Sequence, residues 1–148
     1  MIKIVNILFS ILLLAMAASC AKSKVSTAGD FSPVLTKEIS APRVYFPFDS
    51  DYILPEATVG LDQNIGWLGD NEDEYIILEG HCDETGISEY NMELGDRRAR
   101  TVKAYMMEKG IPAERIIMVV SYGSTRPLNL GHRIEDLREN RRVEFVIR

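Results

Sequence analysis

Asp83 and Arg98 are the residues of this chain best placed to do chemistry together. They lie in Gly80-His81-Cys82-Asp83-Glu84-Thr85-Gly86 and Asn91-Met92-Glu93-Leu94-Gly95-Asp96-Arg97-Arg98-Ala99. Asp83 falls at the end of an apolar run that reads as a strand, and Arg98 about two turns into the helix expected next. A guanidinium fork donates two parallel bonds to a carboxylate, and a carboxylate accepts from an ammonium. A ligand carrying both an ammonium and a carboxylate suits such a pair. The competing reading is a structural salt bridge, which on an exposed surface contributes about 0–1 kcal/mol.

His81-Cys82-Asp83-Glu84 also raises metal binding and thiol catalysis. Neighbouring strand residues point to opposite faces, so His81 and Cys82 do not easily share one ion. His132 is the other histidine, and no Cys-x-x-Cys accompanies it. Cys82 reads as a small buried filler. A periplasmic enzyme using His81 and Cys82 stays open as the weaker alternative; no catalytic group, cofactor or metal is expected. Arg97, Arg98, Arg100 and Lys103 are interleaved with Glu93, Asp96 and Glu108, which reads mostly as a solvated helix face.

The elements that must position these residues run from Arg43 to Arg148. Val44-Tyr45-Phe46-Pro47-Phe48 predicts an early or edge strand, because it contains a proline. Pro55 suits a first helical turn. Ala57, Leu61, Ile65 and Leu68 keep helical spacing until Gly69-Asp70. Tyr75-Ile76-Ile77-Leu78 predicts a strand covered on both faces. A second helix runs from about Ser88 to Lys109 with Leu94, Val102, Tyr105 and Met106 inward, closed by Gly110 and Pro112. Ile116 to Val120 predicts another buried strand, Ile134 to Asn140 a short charged helix, and Val143 to Ile147 the last strand. The order β-α-β-α-β-α-β implies an α/β domain, an α+β sandwich with helices packed on a sheet in two layers or three.

Ahead of this unit, residues 1–19 read as a secretory signal: Lys3, then an apolar stretch from Ile4 to Ala18, shorter than the ~20 residues a spanning helix needs. Ala17-Ala18-Ser19-Cys20 resembles the lipobox of bacterial lipoproteins, in which the cysteine is acylated and becomes the first residue after cleavage. Two or more acyl chains give stable anchoring. Ala21 leaves the outer membrane as the default address. Residues 20–42 are polar and read as the lipidated start of a tether, with Phe31, Val34, Leu35 and Ile39 too sparse to form a core. The 148-residue chain has 17 basic and 22 acidic side chains, a net charge of −5, and −6 once residues 1–19 with Lys3 are removed. That charge excludes a general nucleic-acid binder. With Cys20 lipidated, Cys82 has no disulfide partner.

Residues 43–148 resemble the OmpA-like peptidoglycan-binding domain family. The likeness rests on Val44-Tyr45-Phe46 through Phe48-Asp49, Glu79-Gly80-His81-Cys82-Asp83-Glu84, Glu89-Tyr90-Asn91, Leu94-Gly95, Arg97-Arg98-Ala99, Val102, Gly110, Ser121-Tyr122-Gly123, Pro127 and Asn140-Arg141-Arg142. With the lipobox and tether, the whole chain is similar to the lipoproteins of that family. The resemblance implies three helices on a mixed four-stranded sheet, and a ligand, the meso-diaminopimelate of the peptidoglycan stem peptide. Asp83 would take its ammonium and Arg98 its carboxylate, with Arg141 beside them as a second base or else a solvated base at a helix end. Asp49 and Asn91 join the site as second-tier residues, or else end a strand and cap a helix. The resemblance also implies the periplasmic β-propeller TolB as a partner. A wall-binding lipoprotein outside the Tol system stays open. Asp83→Ala and Arg98→Ala are both expected to lose wall binding with the fold nearly intact.

Overall fold

A computed structural model of the chain describes Ile39, Ala41 and residues 43–148. The expected signal and acylated Cys20 lie outside the described residues. The elements are β1 (Arg43–Tyr45), α1 (Pro55–Asp70), β2 (Ile76–His81), α2 (Ser88–Glu108), a 3-10 turn (Ala113–Arg115), β3 (Ile116–Gly123), α3 (Ile134–Asn140) and β4 (Arg142–Ile147). The strands form one sheet in the order β1-β4-β2-β3. β2 and β3 are parallel, while β4 runs antiparallel to both β1 and β2. The three helices pack on this mixed four-stranded sheet, the α/β class expected from the element order.

Leucine at positions 61 and 68 of α1 and Val102 and Met106 of α2 are fully buried against Ile76, Leu78 and Val143 of the sheet. Each large side chain of this kind contributes about 1.5–3 kcal/mol by leaving water. Pro55 opens α1 at a position where a missing N–H costs nothing. Gly110, with φ 100°, ends α2 in the left-handed conformation that side chains resist.

Two strand expectations need correction. Ile76 and Leu78 are buried, but Ile77 and Glu79, which alternate with them, are only half-buried. The helices therefore cover one face of β2, and the opposite face is partly open. β3 is an edge strand in which Ile117 and Met118 are about half exposed. A register shift at its start pairs Ile77 with Met118 and leaves Ile117 as the extra residue. An apolar run by itself does not separate a buried strand from a bulged edge.

Ile39, one of the sparse apolar residues ahead of β1, is buried in the core. Beside it, the fully buried Asn64 of α1 accepts from the Ala41 N–H at 3.1 Å and donates to the Ala41 carbonyl at 2.7 Å. A buried side-chain amide with both ends satisfied in this way fixes the chain where it enters the domain.

Candidate functional site

The site is set by how closely α2 lies on β2. A Cβ on Gly80 would come within 1.9 Å of the Gly95 carbonyl oxygen, and a Cβ on Gly95 within 2.3 Å of Ser121 Oγ. Helix and strand backbones touch there, as side chains would not allow. One turn after Gly95, Arg98 is thereby carried over the end of β2. With Ser88 as the first helical residue, Arg98 lies nearly three turns in, not two.

Arg98 is wholly buried, unlike the rest of this basic run. Its Nε donates to the Ser50 carbonyl at 2.8 Å, Nη1 to the His81 carbonyl at 2.9 Å, and Nη2 to the Pro47 carbonyl at 3.0 Å. Nη1 also reaches Cys82 Sγ at 3.3 Å, and the guanidinium lies 5.4 Å from the Phe46 ring centre. Burial pulls its pKa below the ordinary value, yet the carbonyl cage favours the charged form an arginine always keeps. Arg97 and Arg100 do face solvent, in pairs with Glu93 and Asp96.

The ion-pair partner of Asp83 is Arg141. Arg141 Nη1 meets Asp83 Oδ2 at 3.0 Å, with both side chains under a tenth exposed. Arg141 Nε adds a bond to the Phe46 carbonyl at 3.3 Å. The other Asp83 oxygen accepts the Thr85 N–H at 3.0 Å, the geometry of an Asx turn. Asn91 does not cap α2, whose N-cap residue is Ile87. Its buried Nδ2 instead donates to the carbonyls of Asp83 and Thr85, which fastens the Asp83 loop to the helix.

Asp49 sits across the opening with φ 50°, a left-handed conformation that aspartate tolerates better than most residues. Tyr90 Oη donates to Asp49 Oδ1. Sequence reasoning missed Tyr90 as the group that holds Asp49. No spacing rule signals a contact between residues so far apart in the chain.

These groups line one cavity of about 170 Å³, with Phe48, Gly86 and Leu94 as apolar walls. The structure thus brings Asp83, Arg98, Arg141, Asp49 and Asn91 together. Two carboxylates and two guanidinium groups balance. Among the described residues, Nη2 of Arg141 has no partner, and one hydrogen of Arg98 Nη2 is left over. Ligand pockets for drug-sized molecules occupy ~300–1,000 Å³. This one, at about 170 Å³, is smaller. Cys82 lies 3% exposed at its base, and burial pushes its thiol pKa up. A thiol held neutral is a poor nucleophile.

The OmpA family model matches residues 45–141. The chain belongs to the OmpA family. Within that family it is 44% identical over 102 residues to the peptidoglycan-associated lipoprotein of Pseudomonas aeruginosa, an alignment covering 68% of this chain and 59% of that protein. It is 36% identical over 105 residues to the peptidoglycan-associated lipoprotein of Rhizobium meliloti, covering 71% and 59%. The chain thus spans about three fifths of the length of these curated relatives. The crystal structure of the peptidoglycan-associated lipoprotein from Burkholderia pseudomallei superposes with a TM-score of 0.69 at 33% identity, over 73% of this chain and 91% of that one. The C-terminal domain of Helicobacter pylori MotB gives 0.67 at 23% identity, over 73% and 84%, a likeness of fold alone. No helix among the described residues is long and apolar enough to cross a membrane.

Proposed function

We propose that this OmpA-family domain binds peptidoglycan non-covalently, taking the zwitterionic end of a stem-peptide diaminopimelate into the cavity of Asp83, Arg98 and Arg141. The observation that supports this most is the charge balance of that cavity together with its unused donors. The ligand carboxylate would lie between Arg98 Nη2 and Arg141 Nη2. Its ammonium would share the Asp83 carboxylate, with Asp49 at the opening and the Asp83 loop held by Asn91. Arg141 has a second task in this reading: it holds Asp83 in one rotamer before the ligand arrives. Charge-assisted bonds of this kind contribute about 1.5–3 kcal/mol each, and the apolar walls strengthen them by keeping water out. A single amino acid would bind weakly, because association costs translational freedom. A wall presenting many stem peptides offsets this through rebinding.

The domain acts in this reading as a binding module and not as an enzyme, without cofactor. Acyl chains on Cys20 would hold it in the outer membrane, facing the periplasm, so that the chain staples membrane to wall. TolB is the proposed protein partner, competing with the wall for the domain; a soluble TolB that leaves wall-bound protein in place at saturation would remove it.

Sedimentation with purified sacculi tests the wall reading on three proteins. Asp83→Asn keeps the shape and the acceptor for Thr85 N–H but removes the charge. Losing a charge-assisted contact of this class costs ~2–5 kcal/mol, or at least roughly 30-fold in affinity. Asp83→Asn also breaks a buried ion pair, so the control is Leu61→Ala, a cavity in the core expected to cost ~2–5 kcal/mol of stability. At a temperature where all three are folded, Leu61→Ala should sediment like the parent and Asp83→Asn should stay in solution. Equal sedimentation of Asp83→Asn and the parent rules the assignment out.

A further inference from the structure

The partly open face of the sheet carries a second constellation. Glu79 and His81 alternate along β2 and point to the same face, and Glu144 of β4 is the cross-strand partner of Glu79. One candidate ligand atom from each of the three lies within 4.8 Å of the other two. His81 is 1% exposed, and neither of its ring nitrogens has a hydrogen-bond partner. Buried polar atoms are almost always paired, and an unpaired one needs a reason.

What covers His81 is Tyr122, whose ring centre lies 5.5 Å away, with the Arg126 guanidinium stacked 3.6 Å from the Tyr122 ring centre. The two glutamates are the carboxylate neighbours of His81, within 4.8 Å. Glu79 makes no hydrogen bond or ion pair among the described residues. Glu144 uses one oxygen, Oε1, for both Arg43 at 3.0 Å and Arg142 at 2.6 Å. Its Oε2 has no donor among the described residues.

We propose that Glu79, His81 and Glu144 form a divalent-cation site on the partly open face of the sheet, selective for a borderline ion such as Zn²⁺. One imidazole nitrogen and two carboxylate oxygens are a donor set that zinc accepts, with water as the fourth ligand. Zinc bond lengths place neighbouring ligands about 3.4 Å apart in a tetrahedron. Closing the site therefore calls for inward shifts of the two half-buried glutamate side chains. Mg²⁺ and Ca²⁺ prefer all-oxygen sites and fit a histidine poorly. Arg43 and Arg142 remain on Glu144 and hold it in place, as outer partners of ligands commonly do. Their charge also weakens the attraction, so the site binds far less tightly than a structural zinc centre. The ion would clip β2 to β4 on the side of the sheet away from the ligand cavity.

The test uses the full chain with Cys20→Ser, so that the Cys20 thiol cannot compete for zinc, after dialysis against chelator. Thermal melts are recorded with ZnCl2 and with MgCl2, and zinc affinity by calorimetry. A ligand that binds only the folded form raises its melting point as its concentration passes the dissociation constant. Zn²⁺ should raise the midpoint and Mg²⁺ should not. Glu79→Gln, an isosteric change at a half-buried position, should weaken zinc binding at least 10-fold. His132→Asn, which removes the exposed His132–Glu84 pair, should leave zinc binding unchanged. His81→Gln is added if it folds, and should lose zinc binding. No shift with millimolar Zn²⁺, equal affinity in Glu79→Gln, or loss of binding in His132→Asn overturns the site.

Discussion

Arg98→Ala should destabilise the domain severely, contrary to the expectation drawn from the sequence. The guanidinium is the donor for three main-chain carbonyls, two in the loop between β1 and α1 and one at the end of β2. One of these contacts is fully buried and two are partly buried. An acceptor left without its donor costs about 1–3 kcal/mol, with partly wetted ones at the low end. The substitution also removes packing on Phe46, while relieving the cost of burying a charge. The net expectation is a loss of about 3–5 kcal/mol. For a domain of this size each kilocalorie moves the midpoint by ~4–8 °C, so the melt should fall by at least ~12 °C. Arg97→Ala, one residue away and exposed in a 3.9 Å pair with Glu93, should stay within ~0.5 kcal/mol of the parent. Arg98→Lys keeps a charge but not the fork, and should fall between the two. The assay is thermal or urea denaturation of all four proteins in one buffer. A drop of less than ~4 °C for Arg98→Ala would show that the carbonyl cage is not what holds this loop.

Gly80→Ala should cost more than the ~1–3 kcal/mol usual for overpacking, since the new methyl meets main chain and not a movable side chain; denaturation and sacculus binding should fall together. Burial, then Arg142 and Arg126 against Glu144, pushes the pKa of His81 down to about 4 from 6.5. The unfolded chain therefore protonates first, so with chelator present stability should be full above pH ~6.5 and decline toward pH 4 by up to about 3 kcal/mol; His81→Phe, stacked on Tyr122, should flatten that slope in urea titrations. Cys82 should resist thiol reagents in the native Cys20→Ser chain and react only at the rate of unfolding. Cys20→Ser should leave the outer-membrane fraction of cells for the soluble periplasm; retention in membranes freed of sacculi would contradict acylation there.

Much of the fold could be read from periodicity. Leu61, Leu68, Val102 and Met106 repeat at helical spacing and are the buried positions. Ile134 to Asn140 is the helix expected. The strands were less legible: Ile76 and Leu78 look the same in sequence as Ile117 and Met118, and only pairing separates core from edge. The site shows the same division. Asp83, Arg98 and Arg141 were found by residue type and resemblance, and they do converge. The wiring was not visible. That Arg141, and not Arg98, holds Asp83 depends on where α3 hands the chain to β4. That Asn91 ties down a loop follows from α2 starting at Ser88. His81 was weighed for a metal beside the wrong neighbours, because a strand-to-strand register places Glu144 beside Glu79, and no local spacing encodes it.

The central claim is that the cavity reads the free zwitterionic end of diaminopimelate, and the most direct measurement compares two walls. Binding isotherms of the chain are recorded on sacculi whose stem peptides carry diaminopimelate and on sacculi whose stem peptides carry lysine. Lysine retains the ammonium and lacks the free carboxylate. With Arg98 Nη2 and Arg141 Nη2 as the carboxylate's partners, binding should hold on the first wall and fall at least roughly 30-fold on the second. Equal affinity for the two walls would contradict the claim.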